Sequence, residues 1–149
     1  MEVSEFRSKI KLDSKIVING REFSVKEIIK FRLDDRSYYT KCLLSDGFVF
    51  ADDLESNVYI LVKKLKPIFK QPFPKKLKLG EKEYRFLYTA HATAEEVWGE
   101  GLFNKGESER FWDYEAADGS YISLGILDKT SERMDFYGKV VKPEQIKLQ

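Results

Sequence analysis

Apolar and polar positions alternate along this chain in short runs, and most runs close on a turn signal. Ile16-Val17-Ile18 leads into Asn19-Gly20, a dipeptide suited to a type I′ hairpin because both positions tolerate positive φ. Arg21 to Val25 alternates, and Ile28 to Leu33 continues as a strand before the turn Asp34-Asp35-Arg36-Ser37. Tyr38 to Leu44 reads as a strand, Ser45-Asp46-Gly47 as a turn and Phe48 to Phe50 as a strand. Ala51 to Asn57 reads as an acidic loop, and Val58 to Lys64 as the returning strand. Residues 1–14 are charged and weakly periodic; Phe6, Ile10 and Leu12 suit either a short helix or an edge strand.

The second half repeats much of this grammar. A glycine-led strand at Gly80 to Tyr84 echoes Gly20 to Phe23, and Asp118-Gly119 echoes Asp46-Gly47. Arg110 to Gly138 reads as at least three strands joined by turns. Ala90 to Glu96 is open between a helical turn and a strand, Asn104 to Glu109 is a polar loop, and Val140-Val141 begins a strand, a Pro143-led turn and an apolar anchor. Short strands with turns every ~8–12 residues predict an all-β sandwich or barrel. The expected fold is therefore mainly β: two related antiparallel units, packed as a sandwich or as partly open barrels. The first unit spans residues 15–64 and the second 79–149, within what is potentially one domain.

Between them, residues 65–78 hold Pro67, Pro72 and Pro74. Proline donates no ladder hydrogen bond and biases its predecessor toward extended backbone, so a connector lying along the surface is predicted. Leu65, Ile68, Phe69, Phe73 and Leu77 are its expected anchors.

Composition adds one fact to this pattern. Net charge is +1, which argues against nucleic-acid binding by bulk charge, yet Lys63 to Lys82 carries eight lysines against one acid, Glu81. Lys63, Lys64, Lys66, Lys70, Lys75, Lys76 and Lys78, with Phe69 and Phe73 among them, are the candidate contact for an anionic partner. Charge beside aromatic faces suits single-stranded nucleic acid or an anionic membrane surface. The plainer alternative is a solvated linker paired with the acidic second half. Trp98, Phe103, Trp112 and Tyr114 are candidates for an aromatic groove, although aromatics at alternating positions are commonly core.

Candidate catalytic groups are sparse. His91 is the sole histidine and Cys42 the sole cysteine, which excludes a disulfide within the chain and metal centres built from His or Cys clusters. The neighbours of His91 offer no carboxylate at ligand spacing, so a structural or surface role is expected. Cys42 is expected as a small buried hydrophobe with a raised pKa. Asp113, Glu115 and Asp118, with Asp52, Asp53 and Glu55 in the first half, are carboxylates that a hydrolase or cation site would use. The competing expectation turns Trp112 and Tyr114 inward and Asp113 and Glu115 outward to solvent. No phosphate loop and no nucleophile elbow occurs. No metal and no cofactor is expected, and nothing argues positively for an enzyme.

The punctuation of the chain resembles the bacterial domain-of-unknown-function family numbered 4178. The resemblance rests on the Gly-led strand ending in Tyr84, the stretch Ala94 to Glu100, the aromatic–Asp-Gly run Trp112 to Ser123, and the closing Tyr137 to Val141. It covers residues 15–148 and implies the β fold and a strand over Ala90 to Glu96, but no activity. Phe48 and Phe50 stand where such families often carry a tryptophan. The N-terminus lacks an apolar leader and no run of about 18 apolar residues occurs, so a cytoplasmic location is expected. The leading expectation is a non-catalytic intracellular binding or accessory module for a protein partner, with homo-oligomers possible. The alternatives are a nucleic-acid- or anionic-lipid-binding domain, and a carboxylate-based hydrolase or cation-binding protein.

Overall fold

Strand alternation resolves into eleven antiparallel strands in the computed structural model, which describes all 149 residues. The first half holds β1 (Lys15–Ile18), β2 (Arg21–Leu33), β3 (Tyr38–Leu44), β4 (Val49–Asp53) and β5 (Val58–Lys64). The second holds β6 (Lys76–Leu79), β7 (Lys82–Gly99), β8 (Ser108–Ala116), β9 (Ser120–Leu127), β10 (Phe136–Val141) and β11 (Ile146–Leu148). Asn19 and Gly20 both take positive φ, 50° and 80°, as the β1–β2 hairpin requires.

Strand order runs β11-β1-β2-β3-β4-β5-β10-β9-β8-β7-β6, and β2 also pairs with β7. That last pairing closes the eight strands β2–β5 and β7–β10 into one antiparallel barrel. In place of a sandwich or of barrels side by side, the halves share a single sheet, joined through β5–β10 and β2–β7. Closure removes the exposed edges that each half would present alone. Residues 65–75 contain no strand, whereas Lys76–Leu79 pairs with the start of β7.

The long strands β2 and β7 bend at irregularities. Leu87 and Glu95 are extra residues in the β7 ladders with β8 and β2, and the β2–β3 register slips between Val25 and Glu27. Such bulges bend a strand and increase its twist. They let the first turns of β2 and β7 leave the barrel and pair with β1 and β6. Gly138 of β10 is required by close approach, since a Cβ there would lie 2.0 Å from the Leu61 carbonyl oxygen.

Three apolar clusters result. Under α1 (Val3–Lys9), Phe6 packs edge-on against Phe50 and Tyr59 at 5.6 and 5.4 Å on the outer face of the barrel. Helix therefore prevails over edge strand at the N-terminus. A second cluster fills one end of the barrel with Ile29, Phe31, Val49, Val62, Phe103, Phe111 and Phe136. The third, on the outer face of β8 and β9, holds Leu77, Tyr84, Tyr114, Ile122 and Leu124, with Leu65, Phe69, Phe73 and Trp112 packed on it. Of the apolar residues between 65 and 78, Leu65, Phe69, Phe73 and Leu77 join this cluster, and Ile68 is exposed.

One sidedness is reversed. Trp112 and Tyr114 face outward into the cluster beneath the connector, and Asp113 and Glu115 face the barrel interior. Leu65, Phe69 and Phe73 supply an apolar cover that a strand pattern alone does not reveal. Ala90 to Glu96 lies within β7, and β4 extends through Asp53 into the stretch read as loop.

Candidate functional site in the barrel lumen

Eight strands leave an interior just wide enough for side chains or for one small ligand. Here the inward row runs through Tyr39 and Lys41 of β3, Val49 and Ala51 of β4, and Ile60 and Val62 of β5. It continues through Phe136 and Val140 of β10, Tyr121 and Ser123 of β9, Phe111 and Asp113 of β8, and Tyr88 and Ala90 of β7. These residues form the inner part of a cavity of about 1300 Å³ that also takes in the mouth and the rim around Arg7, Tyr38 and Asp52.

The two ends differ. At one end the loop Glu100 to Glu107 lays Phe103 edge-on against Phe31 at 4.9 Å, and Leu102 N–H donates to Glu27 Oε1 at 3.0 Å. Burial pushes the Glu27 carboxyl up, and its Oε2 is buried without a partner. The other end is a mouth rimmed by exposed Asp34, Asp35, Leu54, Glu55 and Leu87.

Polar side chains sit between plug and mouth. Lys41 Nζ lies 3.5 Å from Glu109 Oε1, and the rings of Phe31, Tyr39, Phe103 and Phe136 surround the ammonium at 5.2–5.9 Å. Aromatic faces favour a cation electrostatically. Gly125 makes room for this pair, because a Cβ there would stand 2.9 Å from Glu109 Oε2. Burial drives the Glu109 carboxyl up, against the pull of Lys41.

Asp113, nearly fully buried, accepts from Tyr121 Oη and Ser123 Oγ, both at 2.5 Å. Burial raises its pKa to about 6, although both hydroxyls act to lower it. Burial also raises the phenols of Tyr39 and Tyr121, and that of Tyr88, part exposed at the mouth, is raised by partial burial and by Asp113, so all three remain neutral donors at ordinary pH.

At the rim, His91 bridges two loops. Its Nδ1 faces Asp34 Oδ1 at 3.2 Å and its Nε2 faces Asp128 Oδ2, which also accepts from Ser108 Oγ at 2.5 Å. The Asp128 hydrogen bond leads the upward shift of the imidazole pKa. The carboxylates that His91 lacks in sequence are supplied by loops brought alongside it.

The sequence-derived candidates fall in several places. Phe103 belongs to the plug, Tyr114 is buried with its hydroxyl on the Pro74 carbonyl at 2.7 Å, Trp112 packs edge-on against Phe73 at 4.9 Å, and Trp98 is exposed on β7. These four line no common groove. Lys63, Lys64, Lys66, Lys70, Lys75, Lys76 and Lys78 are all exposed, while Phe69 and Phe73 are turned onto the barrel and away from a stacking partner.

Of the three acids read together, Asp113 and Glu115 share the lumen, and Asp118 pairs with Lys82 at 2.9 Å in the β8–β9 turn. Cys42 lies in the cluster under α1, where burial pushes its thiol up, and His91 lies at the rim. Lys41, Glu109, Tyr121 and Tyr88 were not legible as site residues. Glu109 lies four residues from Asp113 and Tyr121 two from its cross-strand partner Ser123, whereas Tyr88 and Lys41 reach the lumen from strands far away in sequence.

The residues 11–143 match the family model described as Domain of unknown function (DUF4178), and the chain belongs to that family, as its turn and strand motifs implied. No curated protein and no solved structure matches the chain. No helix is long and apolar enough to cross a membrane.

Proposed function

We propose that this member of the DUF4178 family is a non-catalytic binding module whose ligand occupies the barrel lumen. The observation that carries this is the lumen part of the cavity, walled by aliphatic and aromatic side chains and set with the buried polar groups of Lys41, Asp113 and Tyr121. Concave, mostly apolar sites with a few convergent polar groups and shifted pKa values are the usual form of small-molecule sites. The buried free Cys42 suits a reducing compartment.

The test is fluorescence titration with N-phenyl-1-naphthylamine, an uncharged apolar probe. Saturable one-to-one binding is expected, lost in Ala51→Trp, whose indole would fill the lumen, and retained when Lys75, Lys76 and Lys78 are replaced by Glu. Binding insensitive to Ala51→Trp contradicts the proposal.

Tandem duplication of the two halves finds support in the connectivity. Each half opens with a four-residue strand in a hairpin, β1–β2 or β6–β7, and continues as three more barrel strands. The Asp46-Gly47 and Asp118-Gly119 turns fall at equivalent places, after the second barrel strand of each half. Placing β2 beside β7 and β5 beside β10 is the order that a twofold axis perpendicular to the barrel would produce.

A further inference from the structure

Asp113 sets into the lumen wall an acid that none of the neighbouring cations pairs with. Lys41 is engaged by Glu109, and Arg7 is engaged by Asp52 on the outer face through hydrogen bonds of 2.8 and 2.7 Å. Asp113 has no such partner: its oxygens accept the hydroxyls of Tyr121 and Ser123, with the Tyr88 hydroxyl alongside, and no Lys, Arg or His forms an ion pair with it. A carboxylate offers about four acceptor sites, so two hydroxyls leave acceptor capacity directed at the cavity. Glu115, two residues along β8, lines the same cavity nearer the mouth.

A buried ion with only neutral partners is poorly compensated for the water it has lost. A ligand that brings the opposite charge relieves that deficit, whereas an anionic ligand adds to it. The aromatic surroundings act in the same direction. Tyr39 and Tyr88 pack edge-on against Phe111 at 6.0 and 5.8 Å, and these rings line the lumen beside Asp113. Ring faces attract an organic cation and reject an anion.

We infer that the lumen takes an organic ammonium ion, its nitrogen held by the Asp113 carboxylate beside Tyr39, Tyr88 and Tyr121, and its apolar body against Ile60 and Val62. This deepens the lumen-binding proposal above and rests on it. Phosphates, carboxylates and nucleic acid are disfavoured ligands of this cavity, because they would meet Asp113 and Glu115 on entry.

The probe pair that tests this is dansylcadaverine, which carries a primary ammonium, and its N-acetyl derivative, which is neutral. Fluorescence titrations at about pH 8 should show the ammonium form binding at least about tenfold tighter, as a charge-assisted contact in a dry site allows. Asp113→Asn should weaken the ammonium form about tenfold and leave the acetylated form within about twofold. Should that variant fail to fold, Glu115→Gln provides the same contrast with a smaller drop. Equal binding of the two probes overturns the ammonium inference and leaves the lumen as a ligand site. No binding of either probe, with N-phenyl-1-naphthylamine also excluded, overturns both.

Discussion

Tyr121 reaches diagonally across from β9 to donate its hydroxyl to Asp113 of β8 at 2.5 Å, while Ser123, directly opposite in the ladder, donates to the other oxygen. Two neutral donors on a buried acid hold its geometry without neutralising it. This arrangement fixes a lone carboxylate on the lumen wall, and it governs how the barrel responds to pH.

Burial holds the Asp113 pKa near 6 in the folded chain, against an ordinary value of 3.8. Between those values the folded state binds more protons than the unfolded one, so stability falls as pH rises from about 4 through 6. The full loss is about 3 kcal/mol by linkage. Lys41 and Glu109 face the same interior, and the raised Glu109 carboxyl adds to the trend in the same sense. Asp113→Asn should remove much of this slope and raise ligand-free stability above pH 6, as measured by urea unfolding at a series of pH values. An unchanged slope would mean that Asp113 is better solvated than its burial indicates.

His91 contributes in a separate window. Its folded pKa is raised above 6.5 by Asp128 and Asp34, so its stabilisation is complete below 6.5 and is lost as pH rises through the folded value. His91→Gln should lower stability at pH 6 and leave it little changed at pH 9. An NMR titration of the single imidazole should give a pKa above that of free histidine. A pKa below 6.5 would remove the bridge between the two loops.

Arg7 and Asp52 form a two-pronged ion pair on the outer face, with the Asp52 side chain fully buried and Thr40 N–H donating to it at 2.9 Å. Removing one member of such a pair strands the other charge. Arg7→Met should cost about 3 kcal/mol, and Asp52→Asn in the same chain should recover part of it. A double-variant cost equal to the sum of the two single-variant costs in thermal unfolding would show that the two side chains are not coupled.

Local signals made much of the fold legible. Asn19-Gly20 and the period-two runs of β3 and β5 were readable because hairpin turns and strand faces are properties of adjacent residues. Closure was not, since the β2–β7 and β5–β10 pairings join segments far apart in the chain. β6 lay concealed among prolines and lysines. Alternation showed that Asp113 and Trp112 occupy opposite faces but could not say which face meets the lumen. That was decided by Leu65, Phe69 and Phe73 covering the outside. The partners of His91 lie 57 and 37 residues away in sequence, beyond any spacing argument.

The lumen is tested most directly by backbone-amide NMR of the intact chain during titration with N-phenyl-1-naphthylamine. Occupancy of the barrel predicts saturable shifts at Tyr39, Ala51, Tyr88, Asp113 and Tyr121, with Trp98 and Lys75 to Lys78 unmoved. Shifts confined to the lysine connector or to the surface around Trp98, with the inward row unperturbed, would contradict a ligand site inside the barrel.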